Sequence, residues 1–89
     1  MIIEVKKFGE VLTSRPAGRE AYLSAKAYIL PKNANETIIL DFNGVKVLAP
    51  SWADEFITKI IAEYPNKIEF LNTNNNSIKE TLKILNIVL

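Results

Sequence analysis

Residues 37–64 read TIILDFNGVKVLAPSWADEFITKIIAEY, and this stretch decides the fold. Its first six residues, Thr37 to Phe42, are too continuously apolar for a strand with one wet face, so they predict a central strand covered on both sides. Asn43-Gly44 follows. In isolation that dipeptide signals a hairpin, but only Val45 to Leu48 separate it from the next helix signals, which favours a simple bend. From Ser51 to Tyr64 the apolar residues Trp52, Ala53, Phe56, Ile57, Ile60, Ile61 and Tyr64 recur at steps of one and three, the period of an amphipathic helix.

Upstream, Ile2 to Lys6 alternates like a half-buried strand, and Glu10 to Leu12 adds a short second strand after a turn at Gly9, predicting a hairpin. From Ser14 the period becomes helical, with Gly18, Ala21, Tyr22, Ala25 and Ile29 on one stripe, until Leu30-Pro31 ends it. Downstream, Pro65-Asn66 closes the long helix, Lys67 to Leu71 alternates as a strand, and Asn72 to Asn76 forms a loop. Ser77-Ile78-Lys79-Glu80 fits a capping box, and Ile78, Leu82, Leu85 and Leu89 give the stripe of a last helix. Strand and helix thus alternate three times. That order predicts a single α/β domain over residues 1–89, with a small, mostly parallel or mixed sheet packed by about three helices.

Composition narrows the function. Eleven basic residues balance ten acidic ones, which leaves no field to hold a polyanion and argues against nucleic acid. Cysteine and histidine are both absent, removing thiolate metal sites, the commonest zinc ligands and the commonest general base. The three glycines form no phosphate-cradling loop. No cofactor and no catalytic constellation is expected, so the chain reads as a binding protein and not an enzyme. Charges at Glu4, Lys6 and Lys7 interrupt any leader-like apolar run, and no run approaches the ~20 residues of a membrane span. The expectation is a cytoplasmic protein that does not enter membranes, with the apolar Ile84 to Leu89 ending a docked helix.

In a parallel sheet the loops leaving the carboxyl ends of the strands share one edge, where open α/β domains bind ligands. Three loops qualify: Thr13 to Pro16, Ala49 to Glu55, and Asn72 to Ser77. Ser14 or Thr13, Ser51 and Ser77 are residues suited to cap the helices that follow, and Ser51 with Asp54 fits a capping box. Arg15 and Arg19 stand one helical turn apart. They either pair with Asp54 or Glu55 across the edge, or leave Arg15 to bind an acidic or phosphorylated group. Asp41 either accepts hydrogen bonds from the turn at Asn43-Gly44 or joins Asp54 and Glu55 as oxygen ligands for Mg²⁺. Trp52 is a core or rim residue of its helix, or an exposed binding anchor.

The strand-turn-helix LDFNGVKVLAPSWADEF, together with the upstream LTSRPAGRE, resembles the STAS-like domains of unknown function. In those domains a buried strand ending in Asp-Phe leads through a Gly-Val turn to a helix opening with Ser-aromatic-Ala-Asp-Glu. The resemblance runs from about Leu12 to Leu71 and implies kinship with the bacterial anti-sigma factor antagonists. These bind a kinase-type ATPase and are switched by phosphorylation of a serine at the equivalent helix start. Here Ala49-Pro50-Ser51-Trp52 occupies that place, with proline where the modified serine would fall and Ser51 adjacent.

The resemblance implies a regulatory protein-protein interaction module in signalling. Its contact or regulatory residues would be Ser14, Arg15, Arg19, Ser51, Trp52, Asp54 and Glu55, and its partner a protein such as a histidine-kinase-like ATPase. Two other readings compete: a small-ligand or nucleotide sensor using the helix N-termini, and a Mg²⁺-dependent phosphotransfer domain using Asp41 or Asp54.

Overall fold

A computed structural model describes residues 1–87. The elements in chain order are β1 (Ile2–Glu4), one turn of 3-10 helix (Val5–Phe8), β2 (Val11–Leu12), α1 (Arg15–Tyr28), β3 (Ile38–Asp41), β4 (Val47–Leu48), α2 (Pro50–Glu63), β5 (Ile68–Leu71) and α3 (Asn76–Ile84). The expected small α/β domain with three helices and a parallel sheet is what forms. Leu89, expected on the stripe of the last helix, lies outside the described residues.

The predicted hairpin near the start does not form. β1 pairs in parallel with β3 and β2 in parallel with β4, so residues 2–12 and 38–48 run side by side as two strands, each broken once. The 3-10 turn, with Gly9 at φ +132°, resumes the original direction, which carries Ile3, Val5 and Leu12 all into the core. The break in the other strand is the expected bend: Val45 N–H donates to the Phe42 carbonyl across Asn43-Gly44, and Gly44 takes φ +85°, a conformation glycine adopts without penalty. The two breaks abut, since a Cβ on Gly44 would stand 2.5 Å from the Lys6 side chain.

β5 joins the other side of β3, giving the parallel order β1-β3-β5. Stepping always in one direction with right-handed crossovers puts successive helices on the same face of a sheet. The expectation that β3 is covered on both faces is therefore corrected. Ile38 and Leu40 are fully buried, whereas Ile39 and Asp41, pointing the other way, are half-buried, and Ile2 beside Ile39 is 60% exposed. β3 is central, but only one of its faces is covered.

On the covered side α2 supplies Trp52, Ala53, Phe56, Ile57 and Ile60 to the core, and α1 lies against it through Gly18, Ala21, Tyr22 and Ala25. Small side chains on α1 let the helices approach closely. Phe8, Trp52 and Phe56 form an aromatic cluster with centroids 4.8–6.2 Å apart. α3 buries Ile78 and Leu82, with Leu85 packed partly against the same core. Among the described residues no helix is long and apolar enough to cross a membrane.

Candidate functional site

The pairing of β2 with β4 brings the starts of α1 and α2 together, because each helix follows its strand after one or two residues. Ser14 caps α1 as expected, its hydroxyl accepting from Ala17 N–H at 3.2 Å, with Pro16 in the first turn. α2 departs from expectation. Ala49 is its N-cap, Pro50 its first residue and Ser51 its second, and no side chain caps it. Proline's fixed φ suits the first helical position, so the helix begins two residues earlier than a cap at Ser51 would allow. The half-buried Ser51 hydroxyl is thus not used as a cap.

Between the helices lies an ion cluster. Arg15 Nη1 donates to Asp54 Oδ2 at 3.0 Å and Glu55 Oε2 at 2.7 Å, while Lys59 Nζ reaches Glu55 Oε1 at 2.8 Å and Arg19 Nε lies 3.6 Å from it. Glu55 is the hub, with its side chain 12% exposed. The hydrogen bond from Lys59 and then that from Arg15 hold its pKa at about 2, overcoming the opposing effect of desolvation. Arg15 is raised in turn, first by Glu55 and then by Asp54. The plainer of the two readings of Arg15 and Arg19 is the one the geometry matches. Arg15 is already committed to two carboxylates and is not a vacant anion receptor.

Trp52 is not an exposed anchor on this surface. It is 1% exposed and packed at a tilt in the aromatic cluster, because its position in the first turn of α2 faces α1 and the 3-10 turn. Its place as an exposed binding anchor is corrected. Asp41 is likewise separate: its carboxylate accepts from Asn43 N–H at 2.9 Å and Asn72 Nδ2 at 2.7 Å, and these bonds, Asn72 first, lower its pKa. Among the described residues no group of three carboxylates could hold a metal ion, so Asp41, Asp54 and Glu55 do not form the Mg²⁺ site considered above.

The third loop turns out to brace the fold. α3 is capped by Asn75, whose side chain accepts from Ser77 N–H at 2.7 Å, so the capping box expected from Ser77 and Glu80 does not form. The Ser77 hydroxyl instead accepts from Leu48 N–H at 2.9 Å, and the Thr81 hydroxyl donates to the Leu48 carbonyl. Asn75 Nδ2 reaches the Lys46 carbonyl at 2.9 Å. Side chains of α3 occupy the bonding positions that a further strand beside β4 would take. The signal for this was the pair of hydroxyls four residues apart on a stripe of Ile78 and Leu82.

Sequence reasoning also missed a groove of about 630 Å³ between the β2 edge and α1. It is floored by Phe8, Leu12, Ala21 and Trp52 and bordered by Ser14 and Ala17. The small residues at 17, 21 and 24, each about one turn apart, were its only trace in the sequence. None of Arg15, Arg19, Asp54 or Glu55 lines it, and the α1 residues that do, Ala17, Glu20, Ala21 and Ser24, lie on the opposite flank of the helix from Arg15 and Arg19.

The family model described as a STAS-like domain of unknown function matches residues 26–78, which hold β3, β4, α2, β5 and the start of α3. Ser14, Arg15 and Arg19 precede the matched segment; Ser51, Asp54 and Glu55 fall within it. Neither the curated proteins nor the solved structures offer a match. With more than half of its length matched and a three-helix parallel α/β fold to go with it, the chain belongs to the family of STAS-like domains of unknown function.

Proposed function

We propose that this domain is a non-enzymatic regulatory module that binds a protein partner through the edge where α1 and α2 begin. The observation that carries this reading is the construction of that edge. Arg15 bridges the two helix starts through Asp54 and Glu55, an apolar-floored groove opens on the other flank of the α1 start, and the Ser51 hydroxyl is left out of helix capping. A polar cluster on one flank of the α1 start and an apolar-floored groove on the other together offer the mix of polar and apolar surface found at protein interfaces. Because the chain resembles the anti-sigma factor antagonists, the partner proposed is a histidine-kinase-like ATPase.

Phosphorylation is the proposed control. A phosphate on Ser51 adds about two negative charges near Asp54 and Glu55, and this repulsion loosens a complex formed at the edge. The experiment is calorimetric titration of the domain with a histidine-kinase-like ATPase from the same genome, with ADP or ATP and Mg²⁺ present. Wild type binds, Ser51→Asp weakens binding at least about tenfold, and Arg15→Ala weakens it while also lowering the melting temperature, since it removes the bridge to Asp54 and Glu55. Unaltered affinity in both variants, or no binding by wild type, removes this reading.

A further inference from the structure

The opposite side of the molecule carries a second surface. All-parallel sheets occur almost only with both faces covered. Here the strand register lines up Ile2, Ile39 and Glu69 in one row of the outer face, and Glu4, Asp41 and Leu71 in the next. Ile2 is 60% and Leu71 44% exposed, Glu4 and Glu69 are exposed, and Ile39 is half-buried. Three strands spaced ~4.8 Å apart span ~10 Å between the outer two, close to the diameter of one α-helix. The face is therefore one helix wide.

Its charge selects what covers it. The outward positions of the three strands supply three carboxylates, Glu4, Asp41 and Glu69, and no cation. Asn72 and Asn43 hold Asp41 in its ionised form by hydrogen bonding. A second copy related by two-fold symmetry would set this acidic surface against itself. We propose that the outer face of the β1-β3-β5 sheet docks a basic amphipathic helix of a protein partner. The helix lays its apolar stripe on Ile2, Ile39 and Leu71 and its lysines or arginines beside Glu4, Asp41 and Glu69. This surface lies across the sheet from α1 and α2 and does not depend on the reading of their edge.

The test is an NMR titration of the domain with a synthetic helical peptide of about 18 residues, leucine along one stripe and lysine on its flanks, beside a matched peptide with glutamate for lysine. Amide shifts confined to β1, β3 and β5 are expected, with affinity falling about tenfold in ~0.5 M salt and in the double variant Glu4→Lys, Glu69→Lys. Both substituted positions are exposed, and circular dichroism verifies that the variant is folded. Arg15→Ala leaves this binding unchanged. The proposal is overturned by shifts that map to the α1–α2 edge, by equal binding of the glutamate peptide, or by no binding at millimolar peptide. It is also overturned if sedimentation shows the domain pairing with itself through this face.

Discussion

A Cβ placed on Gly18 would stand 2.5 Å from the carbonyl oxygen of Trp52 and 3.0 Å from its Cα, so α1 and α2 touch backbone to backbone at that point. Gly18 lies one turn after Arg15, and Trp52 just precedes Asp54 and Glu55. The same contact that closes the core thus brings Arg15 within reach of its two carboxylates.

Gly18→Ala should destabilise the domain even though alanine is the better helix former. Propensity favours alanine by about 1 kcal/mol, but the new methyl meets main-chain atoms that can move only if the helices separate. The net loss expected from urea unfolding is about 1–3 kcal/mol, with Ala17→Gly as the control for propensity alone. An unchanged or raised stability in Gly18→Ala would show that the helices are free to part at no cost.

Trp52 is the only tryptophan in the chain, which makes its burial directly observable. Its emission should be blue-shifted and resistant to acrylamide in the native state, and move to the red on unfolding. Trp52→Ala should cost about 3–5 kcal/mol, a large share of the stability of a small domain, whereas Trp52→Phe keeps part of the contact with Phe8 and Phe56. Native fluorescence quenched as readily as free tryptophan would return this residue to the surface.

Glu55 makes the ion cluster sensitive to acid. Its folded pKa of about 2 lies below the ordinary value of 4.5, so its stabilising contribution is complete above pH ~4.5 and is lost as pH falls through the folded value. Asp41 and Glu10 are lowered as well, and act in the same direction. The melting temperature should fall between pH ~4.5 and ~2, and Glu55→Gln should flatten that part of the profile while lowering the plateau at neutral pH. Parallel profiles for variant and wild type would mean that the contacts of Arg15 and Lys59 with Glu55 contribute nothing to folding.

The parts of the fold that were legible in the sequence are those with a period long enough to read. α2 and α1 show their stripes over four turns, and β3 and β5 stand out between turn residues. β2 and β4 have two residues each, too few to carry a period, so their parallel pairing and the absence of a hairpin emerge only from the whole topology. The bare outer face of β3 was hidden for a related reason. An Ile-Ile-Leu run is equally apolar whether a second layer covers it or not. At the site, the pairing of Arg15 with Asp54 and Glu55 followed from charge and spacing, but the start of α2 did not. Pro50 moved the cap from Ser51 to Ala49, two residues earlier, and with it the role of Ser51. Ser77 was misassigned because a helix-start serine has two possible partners, its own backbone and a neighbouring strand, and only the fold decides between them.

The neighbouring strand decides at Ser77. Leu48 is 1% exposed, and its N–H and carbonyl are met by the Ser77 and Thr81 hydroxyls, the second of these buried. A buried backbone group left without a partner costs about 1–3 kcal/mol. Thr81→Val keeps the shape and removes the donor to the Leu48 carbonyl, which Ser77 then reaches only at 3.3 Å. Ser77→Ala removes the acceptor for the Leu48 N–H outright. Each single variant should lose about 1–3 kcal/mol, and the double variant less than the sum, since both act on one residue. Amide exchange separates the two roles: Ser77→Ala should speed exchange at Leu48 well beyond what the global loss of stability explains, whereas Thr81→Val should follow the global loss. Equal protection of the Leu48 amide in both variants would place its hydrogen-bond partner elsewhere and detach α3 from the support of β4.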